Sequence, residues 1–307
     1  MRIAVLSTPD SWYYADLLRA AGTAYHLQCL SFSHLSADLQ VHTQPTCSSG
    51  PNRLDEFDAI LVRTMAPGTL EQVVFRMDVL GRLQRQGTAV VNPPRALEAA
   101  VDKYLASAKL HAAGLPTPPT WVCQTVDQAM IGFQQLGGDV VVKPLFGSEG
   151  RGLMRIENAD LAQRVFKTLA QIGAVIYLQA FLPHHGFDIR ILLVGAQAFC
   201  VRRSNPSDWR TNVSCGATAE PFTPGRDMVA MAHTAARAIG ATIAGVDILP
   251  TRDGRCYVLE VNAVPGWQAT SLALGVDIAS KILDHLGSLV AKNRKPEMPS
   301  RRQSATG

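Results

Sequence analysis

The sequence lacks an apolar run long enough to cross a membrane. A membrane-spanning helix needs roughly 18 uninterrupted apolar residues, whereas the most apolar stretch, residues 229–249, is interrupted by His233, Arg237 and Asp247. The apolar run at residues 3–6 is too short for the core of a signal peptide and is typical of a first strand. We therefore predict a cytoplasmic protein with no membrane association.

Paired cysteines are also lacking. The six cysteines are scattered along the chain, and none of them belongs to a C-x-x-C pair. This pattern argues against a zinc knuckle and against a thioredoxin-type redox site. We expect the cysteines to be mostly packing residues in a reducing compartment.

The body of the chain has almost no net charge. The formal net charge is +4, and the segment after residue 290 supplies this excess, because it holds Lys292, Arg294, Lys295, Arg301 and Arg302 against Glu297. A nucleic-acid groove needs a basic face on the folded part, so we predict no nucleic-acid partner. Residues 291–307 are rich in proline, serine and charge, which predicts a disordered basic tail.

Short strand and helix patterns alternate along residues 1–94. Such alternation predicts an α/β unit with a parallel sheet covered on both faces. The predicted strands are residues 3–6, 59–62 and 88–91, and the predicted helices are residues 12–21 and 70–83.

The pattern changes after Asn92-Pro93-Pro94. Residues 95–183 combine helices with strands around a glycine-rich loop, and residues 184–290 contain two predicted hairpins. The predicted helices are 95–113, 159–169, 228–239 and 278–290, and the predicted strands are 120–123, 140–143, 175–179, 188–194, 197–203, 243–249 and 256–261.

Three oxygen side chains lie in the last predicted hairpin. Asp247, Glu260 and Asn262 belong to apolar runs that should be buried, and a buried carboxylate needs a cation or a hydrogen-bonded partner. Few carboxylates with open positions suit magnesium shared with substrate phosphates. The alternative is a structural ion-pair cluster, which would require basic partners on the same sheet face.

A lysine precedes the glycine-rich loop. Lys143 ends an apolar strand, and Gly147, Gly150 and Gly152 follow it. Glycines let backbone N–H groups approach an anion closely, so the pattern favours a mobile phosphate lid over a plain hairpin loop. The spacing matches neither a Walker P-loop nor a dinucleotide-binding fingerprint.

Other polar residues are ambiguous when each is taken alone. Lys103 opens a helical pattern and could simply be solvated. Asp188 and Arg190 share one face of a strand, so they could pair with each other or contact ribose and phosphate.

Together these motifs resemble the ATP-grasp superfamily, and specifically its RimK-type branch of glutamate and amino-acid ligases. The resemblance covers residues 95–290, and its order and spacing are specific although each motif is weak. The matching motifs are Asp102-Lys103, Val142-Lys143-Pro144, the Gly147–Gly152 loop, Gln179-Ala180-Phe181, Asp188-x-Arg190, Arg210-Thr211-Asn212, Gly245-Val246-Asp247 and Glu260-Val261-Asn262.

The resemblance implies an ATP-grasp fold of mixed α/β (α+β) class. Residues 1–94 would form a parallel-sheet pre-ATP-grasp domain, residues 95–183 a central subdomain with the lid, and residues 184–290 a C-terminal subdomain with the magnesium site. Relatives of this type are often homo-oligomers, so the resemblance is compatible with a homo-oligomer.

The resemblance also implies a role for each matching residue. ATP would lie between the two subdomains, with magnesium, or alternatively manganese, beside its phosphates. Lys103 and Lys143 would contact the phosphates; Gly147, Ser148, Gly150 and Gly152 would close over them; Gln179, Ala180 and Phe181 would hold adenine through backbone groups; Asp188 would contact ribose; Asp247, Glu260 and Asn262 would hold the metal; and Arg190, Arg210, Thr211 and Asn212 would face the nucleotide and the transferred phosphate.

Two departures from the family pattern concern substrate more than ATP. Ala180 stands where RimK-type members commonly carry Glu, and residues 213–218 lack the usual basic residue and paired glycines. Segments 75–78 and 260–267 are similar to ligases encoded near tetrahydromethanopterin genes in methylotrophic bacteria. Arg63 and Arg76 could bind an acidic end of a substrate or form interdomain salt bridges.

The function implied is an ATP-dependent carboxylate–amine ligase that forms an acyl phosphate. It would join glutamate or another amino acid to a carboxylate of a small molecule, a coenzyme or a protein. An ATP-grasp phosphotransferase acting on a non-carboxylate acceptor is the alternative, since it would share the ATP residues. A catalytically silent nucleotide-binding regulator is disfavoured, because Asp247, Glu260 and Asn262 are all present.

Overall fold

The computed structural model describes residues 1–40, 46–147 and 151–293. The lid residues Ser148 and Gly150 lie outside the described residues, as does the part of the predicted disordered tail (residues 291–307) from residue 294 onward. Residues 291–293 were predicted to belong to this tail but are the end of the last helix. Among the described helices, none combines the length and apolar character that a membrane crossing requires.

The secondary structure of the N-terminal region is, in chain order, β1 (Arg2–Leu6), α1 (Trp12–Ala21), β2 (His26–Leu30), β3 (Leu35–Asp38), β4 (Thr46–Ser49), β5 (Asn52–Arg53), β6 (Ala59–Val62), α2 (Leu70–Arg85) and β7 (Ala89–Val91). The central region contains α3 (Pro94–Val101), α4 (Lys103–Ala112), β8 (Thr120–Cys123), α5 (Val126–Gln135), β9 (Val140–Lys143), β10 (Met154–Ile156), α6 (Ala159–Gln171) and β11 (Ile176–Ala180). The C-terminal region contains β12 (Phe187–Val194), β13 (Gln197–Ser204), β14 (Thr218–Pro221), α7 (Arg226–Ile239), β15 (Ile243–Pro250), β16 (Cys256–Asn262), α8 (Gln268–Leu274) and α9 (Ile278–Asn293).

The N-terminal sheet is parallel, as the alternating pattern predicts. Its strand order is β2-β1-β6-β7. Alternate residues of β1 enter different cores: Ile3 and Val5 pack with α1 and α9, whereas Ala4 and Leu6 pack with α2. Both faces are therefore buried, which explains the continuous apolar strand sequences.

The small antiparallel sheet β3-β4-β5 follows β2 and was not predicted. Its strands are short and rich in serine and other polar residues, as in Ser48 and Ser49 of β4. The apolar alternation on which strand prediction depends is therefore weak here.

Two antiparallel sheets form the rest of the molecule. The central sheet has the order β10-β9-β11-β8, and α5 and α6 pack on it around Phe133 and Phe166. The C-terminal sheet has the order β14-β13-β12-β15-β16, with α7 on one face. Helix α9 packs against α1 on the N-terminal sheet, so the chain returns to its first region at its end.

The helix predicted over residues 95–113 is divided at Asp102. Asp102 has extended backbone angles, and its carboxylate accepts a hydrogen bond from the backbone N–H of Leu105 at 3.0 Å. This is an N-cap arrangement, in which the side chain replaces a missing helical acceptor. Lys103 consequently starts a new helix, α4, instead of lying within a longer one.

The buried side chain of Asn92 joins the N-terminal sheet to the C-terminal sheet. Its Oδ1 accepts hydrogen bonds from the backbone N–H groups of Thr242 (2.8 Å) and Ile243 (3.1 Å). Its Nδ2 donates to the carbonyls of Ile243 and Ala263, each at 2.6 Å. The amide therefore satisfies backbone groups beside β15 and just after β16.

We expect Asn92→Ala to lower the free energy of unfolding by about 3 kcal/mol, because it leaves several buried backbone groups unsatisfied. Urea denaturation followed by circular dichroism measures this change. Asn158→Ala is the matched control, since that asparagine makes one capping bond to Leu161 at an exposed helix start and should cost about 1 kcal/mol. Equal losses in the two variants would contradict the interdomain role of Asn92.

Candidate active site

The three predicted oxygen ligands lie on adjacent strands. Asp247 of β15 pairs in register with Glu260 of β16, and Asn262 pairs with Gly245. Asp247 is buried, with 4% of its surface exposed. Glu260 and Asn262 are partly exposed and line a common cavity.

Asp247 has two arginine partners on this sheet. Arg190 Nε lies 2.6 Å from Asp247 Oδ1, and Arg203 Nη2 lies 2.9 Å from Asp247 Oδ2. Arg190 is directly opposite Asp247 in the pairing of β12 with β15. The arginine partners that a structural ion-pair cluster would require are therefore present for Asp247.

Asp188 and Arg190 do not pair with each other, which was one of the two possibilities left open by the sequence. Asp188 instead accepts hydrogen bonds from Arg203 Nε at 2.7 Å and from Thr211 Oγ1 at 2.6 Å. Burial lowers the pKa of Arg203, but the charges of Asp247 and Asp188 outweigh burial and raise it above its ordinary value. Arg203 therefore stays charged and links two buried carboxylates.

Glu260 differs from Asp247 because no described residue forms an ion pair with it. Asn262 Oδ1 accepts a hydrogen bond from the backbone N–H of Val264 at 2.8 Å. Asp247 Oδ1 forms the ion pair with Arg190 Nε but accepts no well-aligned hydrogen bond from a described residue. Three oxygen donors with spare acceptor capacity fit magnesium, which prefers a few carboxylates and keeps open positions. Within the described ranges, no group of three His, Cys, Asp or Glu side chains forms a separate metal cluster.

Two lysines face Glu260 from the central region. Lys143 Nζ donates to Gln179 Oε1 at 2.5 Å, and Gln179 Nε2 in turn donates to Thr120 Oγ1 at 3.2 Å. Lys103 Nζ donates to the carbonyl of Gly147 at 2.8 Å. Both ammonium groups are thus held at the start of the glycine-rich loop.

Burial lowers the pKa of both lysines. Desolvation lowers the pKa of Lys143 to about 8, although the carboxylate of Glu260 raises it in part and the charge of Lys103 lowers it further. Desolvation also lowers the pKa of Lys103, again opposed by Glu260. Two buried cations held close together favour a polyanion between them.

Three adjoining cavities meet at Glu260 and Asn212. The first, of about 50 Å³, contains Lys103 and Lys143. The second, of about 90 Å³, lies along the Gln179–Phe181 segment. The third, of about 790 Å³, opens toward the N-terminal sheet and contains Arg190 and Asn262. Glu260 and Asn212 line all three cavities.

The second cavity has the features of a planar-ring site. Leu249 and Leu259 supply apolar walls, together with Trp209. The N–H groups of Ala180 and Phe181 already donate to the carbonyls of Pro119 (2.8 Å) and Asp139 (2.9 Å). A ring bound here would therefore compete for those N–H groups or use other backbone atoms.

The remaining predicted residues also line these cavities. Arg210 and Thr211 lie in the second cavity, where Arg210 pairs with Asp208 at 2.6 Å and Thr211 is bound to Asp188. Gly147 lies between the first and third cavities. Gly152 has a positive φ of 74° and packs near Pro144.

Some residues of the site were not predicted. Arg203 lies opposite Asp188 across β12 and β13, and Leu249 and Leu259 form the apolar walls. The signal for Arg203 was an arginine at the end of an apolar strand paired with the Asp188 strand. The two leucines carried no signal, because apolar residues in a strand are ordinarily core residues.

The sequence is similar to a known family and to named proteins. Residues 100–286 match the family model described as the RimK-like ATP-grasp domain. The tetrahydromethanopterin:alpha-L-glutamate ligase of Methanosarcina acetivorans is 29% identical over 318 residues, covering 93% of this chain and 98% of that protein. The protein of the same name from Methanococcus maripaludis is 32% identical over 228 residues, covering 73% of this chain and 76% of that protein.

A solved structure shares the architecture. The ATP-grasp ligase PsnB, in complex with a minimal precursor, Mg and ADP, superposes with a TM-score of 0.74 at 21% identity, covering 94% of this chain and 97% of that chain. At this identity the likeness shows the fold alone. The ATP-grasp fold class predicted from the sequence is confirmed.

The lowered pKa of Lys143 predicts an alkaline loss of nucleotide affinity. A lysine is charged below its pKa, so as the pH rises through about 8 the cation of Lys143 is lost, whereas a solvated lysine would keep it. Calorimetric titration of ATP between pH 7 and pH 9.5 should show about tenfold weaker binding at the alkaline end. Lys143→Arg, which stays charged at this position, should reduce this pH dependence to the part that Lys103 contributes; an unchanged dependence in the variant would contradict the assignment.

The absence of a side chain at Gly245 leaves room for the guanidinium group of Arg190, and a methyl group at Gly245 should displace that guanidinium group. A Cβ at Gly245 would lie 2.0 Å from Arg190 Nη1 and 3.1 Å from Pro265 Cβ. Gly245→Ala should lower the free energy of unfolding by about 2 kcal/mol and reduce turnover in a coupled ADP-release assay. Gly225→Ala is the control, because nothing lies within 4 Å of its Cβ position; equal turnover in both variants would show that Arg190 tolerates the shift.

Proposed function

This chain belongs to the RimK-like ATP-grasp family and is an ATP-dependent carboxylate–amine ligase, and we propose that it adds glutamate to a carboxylate of a small molecule through an acyl phosphate. The observation that carries this proposal is the meeting of three cavities at Glu260 and Asn212. One cavity suits a planar ring, one a polyanion, and the largest an organic substrate. ATP and the acceptor carboxylate would then meet beside Glu260 and Asn212.

The activation of a carboxylate for attack by an amine explains the cationic side chains that line these cavities, Lys103, Lys143, Arg190 and Arg210. A carboxylate does not react with an amine near neutral pH, because oxide is a poor leaving group. Transfer of the γ-phosphoryl group to a carboxylate oxygen forms an acyl phosphate, and attack by the amine then expels phosphate. Charge spreads over the phosphoryl oxygens during transfer, and fixed cations stabilise it.

We assign the roles as follows. Lys103 and Lys143 bind the phosphates from one side, and Arg190, held by Asp247, meets the transferred group from the other. Asp247, Glu260 and Asn262 would hold magnesium, which supplies charge neutralisation for the triphosphate when bound. Closure of the Gly147–Gly152 segment would exclude water and so protect the acyl phosphate from hydrolysis.

Glutamate and a pterin are the first substrates to test. Two relatives, from Methanosarcina acetivorans and Methanococcus maripaludis, carry the name tetrahydromethanopterin:alpha-L-glutamate ligase. The size of the third cavity, about 790 Å³, leaves room for an acid larger than an amino acid. The phosphotransferase alternative receives no support from these relatives, which are named as ligases.

Incubation of the protein with ATP, magnesium, glutamate and a tetrahydropterin acid should release ADP and give a product heavier by one glutamyl residue. Mass spectrometry and a coupled ADP assay measure the two outcomes. Formation of a stable phosphoester without an amide would contradict the ligase assignment for this substrate pair.

Glu260→Gln should reduce the rate of adduct formation at least about 100-fold, since it removes a carboxylate from the junction. Glu56→Gln is the matched control, because Glu56 lies on the N-terminal surface and pairs with Arg2 and Arg53. Turnover near the wild-type rate in Glu260→Gln would mean that the metal and phosphate site is assigned wrongly.

A further inference from the structure

A buried arginine without a carboxylate partner lies on the wall of the largest cavity. Arg63 directly follows β6 at the carboxyl end of the parallel sheet, and only 8% of its surface is exposed. Its Nη2 donates to the carbonyl of Pro265 at 2.8 Å. No described carboxylate forms an ion pair with it, and its Nε has no hydrogen-bond acceptor among the described residues.

Two aromatic rings hold the guanidinium group in place. Its Cζ lies 4.4 Å from the centre of the Trp267 ring and 5.0 Å from that of the Tyr13 ring. Trp267 is itself fixed, because its Nε1 donates to Asp16 at 2.8 Å. Gly266 allows this packing, since a Cβ there would lie 2.3 Å from the Tyr13 hydroxyl.

This environment leaves a cation incompletely compensated. Burial lowers the pKa of Arg63 to about 10, and ring contacts and one carbonyl replace only part of the lost hydration. A buried charge is ordinarily paired with an opposite charge. The guanidinium group has five N–H donors, and among the described residues Pro265 is its hydrogen-bond acceptor. The remaining donors suit an anion in the cavity.

The position of Arg63 places such an anion near the reacting groups but not among them. Arg63, Arg190, Glu260 and Asn262 line the same cavity. Pro265, which binds Arg63 through its carbonyl, has its Cβ 3.1 Å from the Cβ position at Gly245, where Arg190 Nη1 also lies within 2.0 Å. Pro265 therefore lies beside both arginines.

We propose that Arg63 binds a carboxylate of one of the two substrates other than the carboxylate that receives the phosphoryl group. This inference rests on the proposed ligase function and specifies its substrates: at least one of them carries a second acidic group. A planar guanidinium edge binds a planar carboxylate through parallel N–H bonds, which also fixes its orientation. Arg63 thus determines which substrate is accepted, whereas Arg190 contacts the phosphoryl group that is transferred.

The test compares Arg63→Gln with Arg76→Gln in steady-state kinetics. Arg76 is the matched control, because it is also a buried arginine of the N-terminal region, donates to the carbonyl of Ala66 at 2.6 Å and does not line this cavity. Arg63→Gln should raise the KM of one substrate about 10- to 100-fold, with the KM of ATP unchanged. A rise for glutamate or for the acid identifies which substrate carries the carboxylate.

An amide analogue separates recognition from structural damage. Replacing the recognised carboxylate by its amide should raise the KM of the wild-type enzyme as much as the Arg63→Gln substitution does. The same replacement should change the KM of the Arg63→Gln variant little further. Equal discrimination against the amide in wild type and variant, or unchanged KM values in Arg63→Gln, would overturn the proposal. If Arg63→Gln does not fold, Arg63→Lys keeps the charge and should show a smaller rise in the same KM; an unchanged value overturns the proposal.

Failure of the ligase function would be visible separately, as absence of adduct in the wild-type protein. In that case, calorimetric titration with glutarate tests Arg63 alone. Wild type and Arg76→Gln should bind glutarate at least about tenfold more tightly than Arg63→Gln. Equal binding by all three proteins, or no binding by the wild type, would overturn the role of Arg63.

Discussion

The site depends on a row of buried charges across the C-terminal sheet. Arg203 holds both Asp188 and Asp247, and Arg190 holds Asp247 from the neighbouring strand. Removing one partner of such a group leaves an uncompensated buried charge, which costs several kcal/mol. The pairing register of β12 with β13 and β15 is therefore fixed by the charges as well as by the apolar pattern.

The buried charges distinguish between two interpretations of the acidic cluster, a structural ion-pair cluster and a magnesium site. Asp247 alone would fit a structural ion pair, since its cationic partners are present. Glu260 does not fit that interpretation, because no described residue forms an ion pair with it. Lys103 and Lys143 line a cavity with it, and burial lowers the pKa of both lysines. The cavity between the two lysines and Glu260 leaves space for a ligand. Such a ligand would carry negative charge toward the lysines and a cation toward the carboxylate. A nucleotide triphosphate with its metal has that composition.

Much of the fold could be predicted from the sequence because its strands are apolar runs with clear stops. The hairpin that carries Asp247 and Glu260 and the parallel N-terminal sheet were predicted, whereas the polar strands β3 to β5 carry little alternation. Around the cavities, the predicted residues are those that follow one another in a sequence motif, such as Arg210-Thr211-Asn212. Arg203 was missed because its importance arises from a cross-strand partner, Asp188, 15 positions away, and a single sequence does not display such pairs.

The N-terminal sheet contributes one wall of the third cavity, where we propose that the second substrate binds. Its strands end at the third cavity, where carboxyl ends of parallel strands commonly form binding sites, and the Asn92 side chain joins this sheet to β15 through buried hydrogen bonds. The residues that we propose to face the nucleotide belong to the regions after residue 100, whereas Arg63 and Tyr13 belong to the first region. Changes in the first region can therefore alter which acid or amine is accepted while the phosphate-binding lysines stay in place. Under the proposed function, substrate choice depends on how the sheets pack, since Asn92 joins the N-terminal sheet to β15 and Arg63 lines the same cavity as Glu260 of β16.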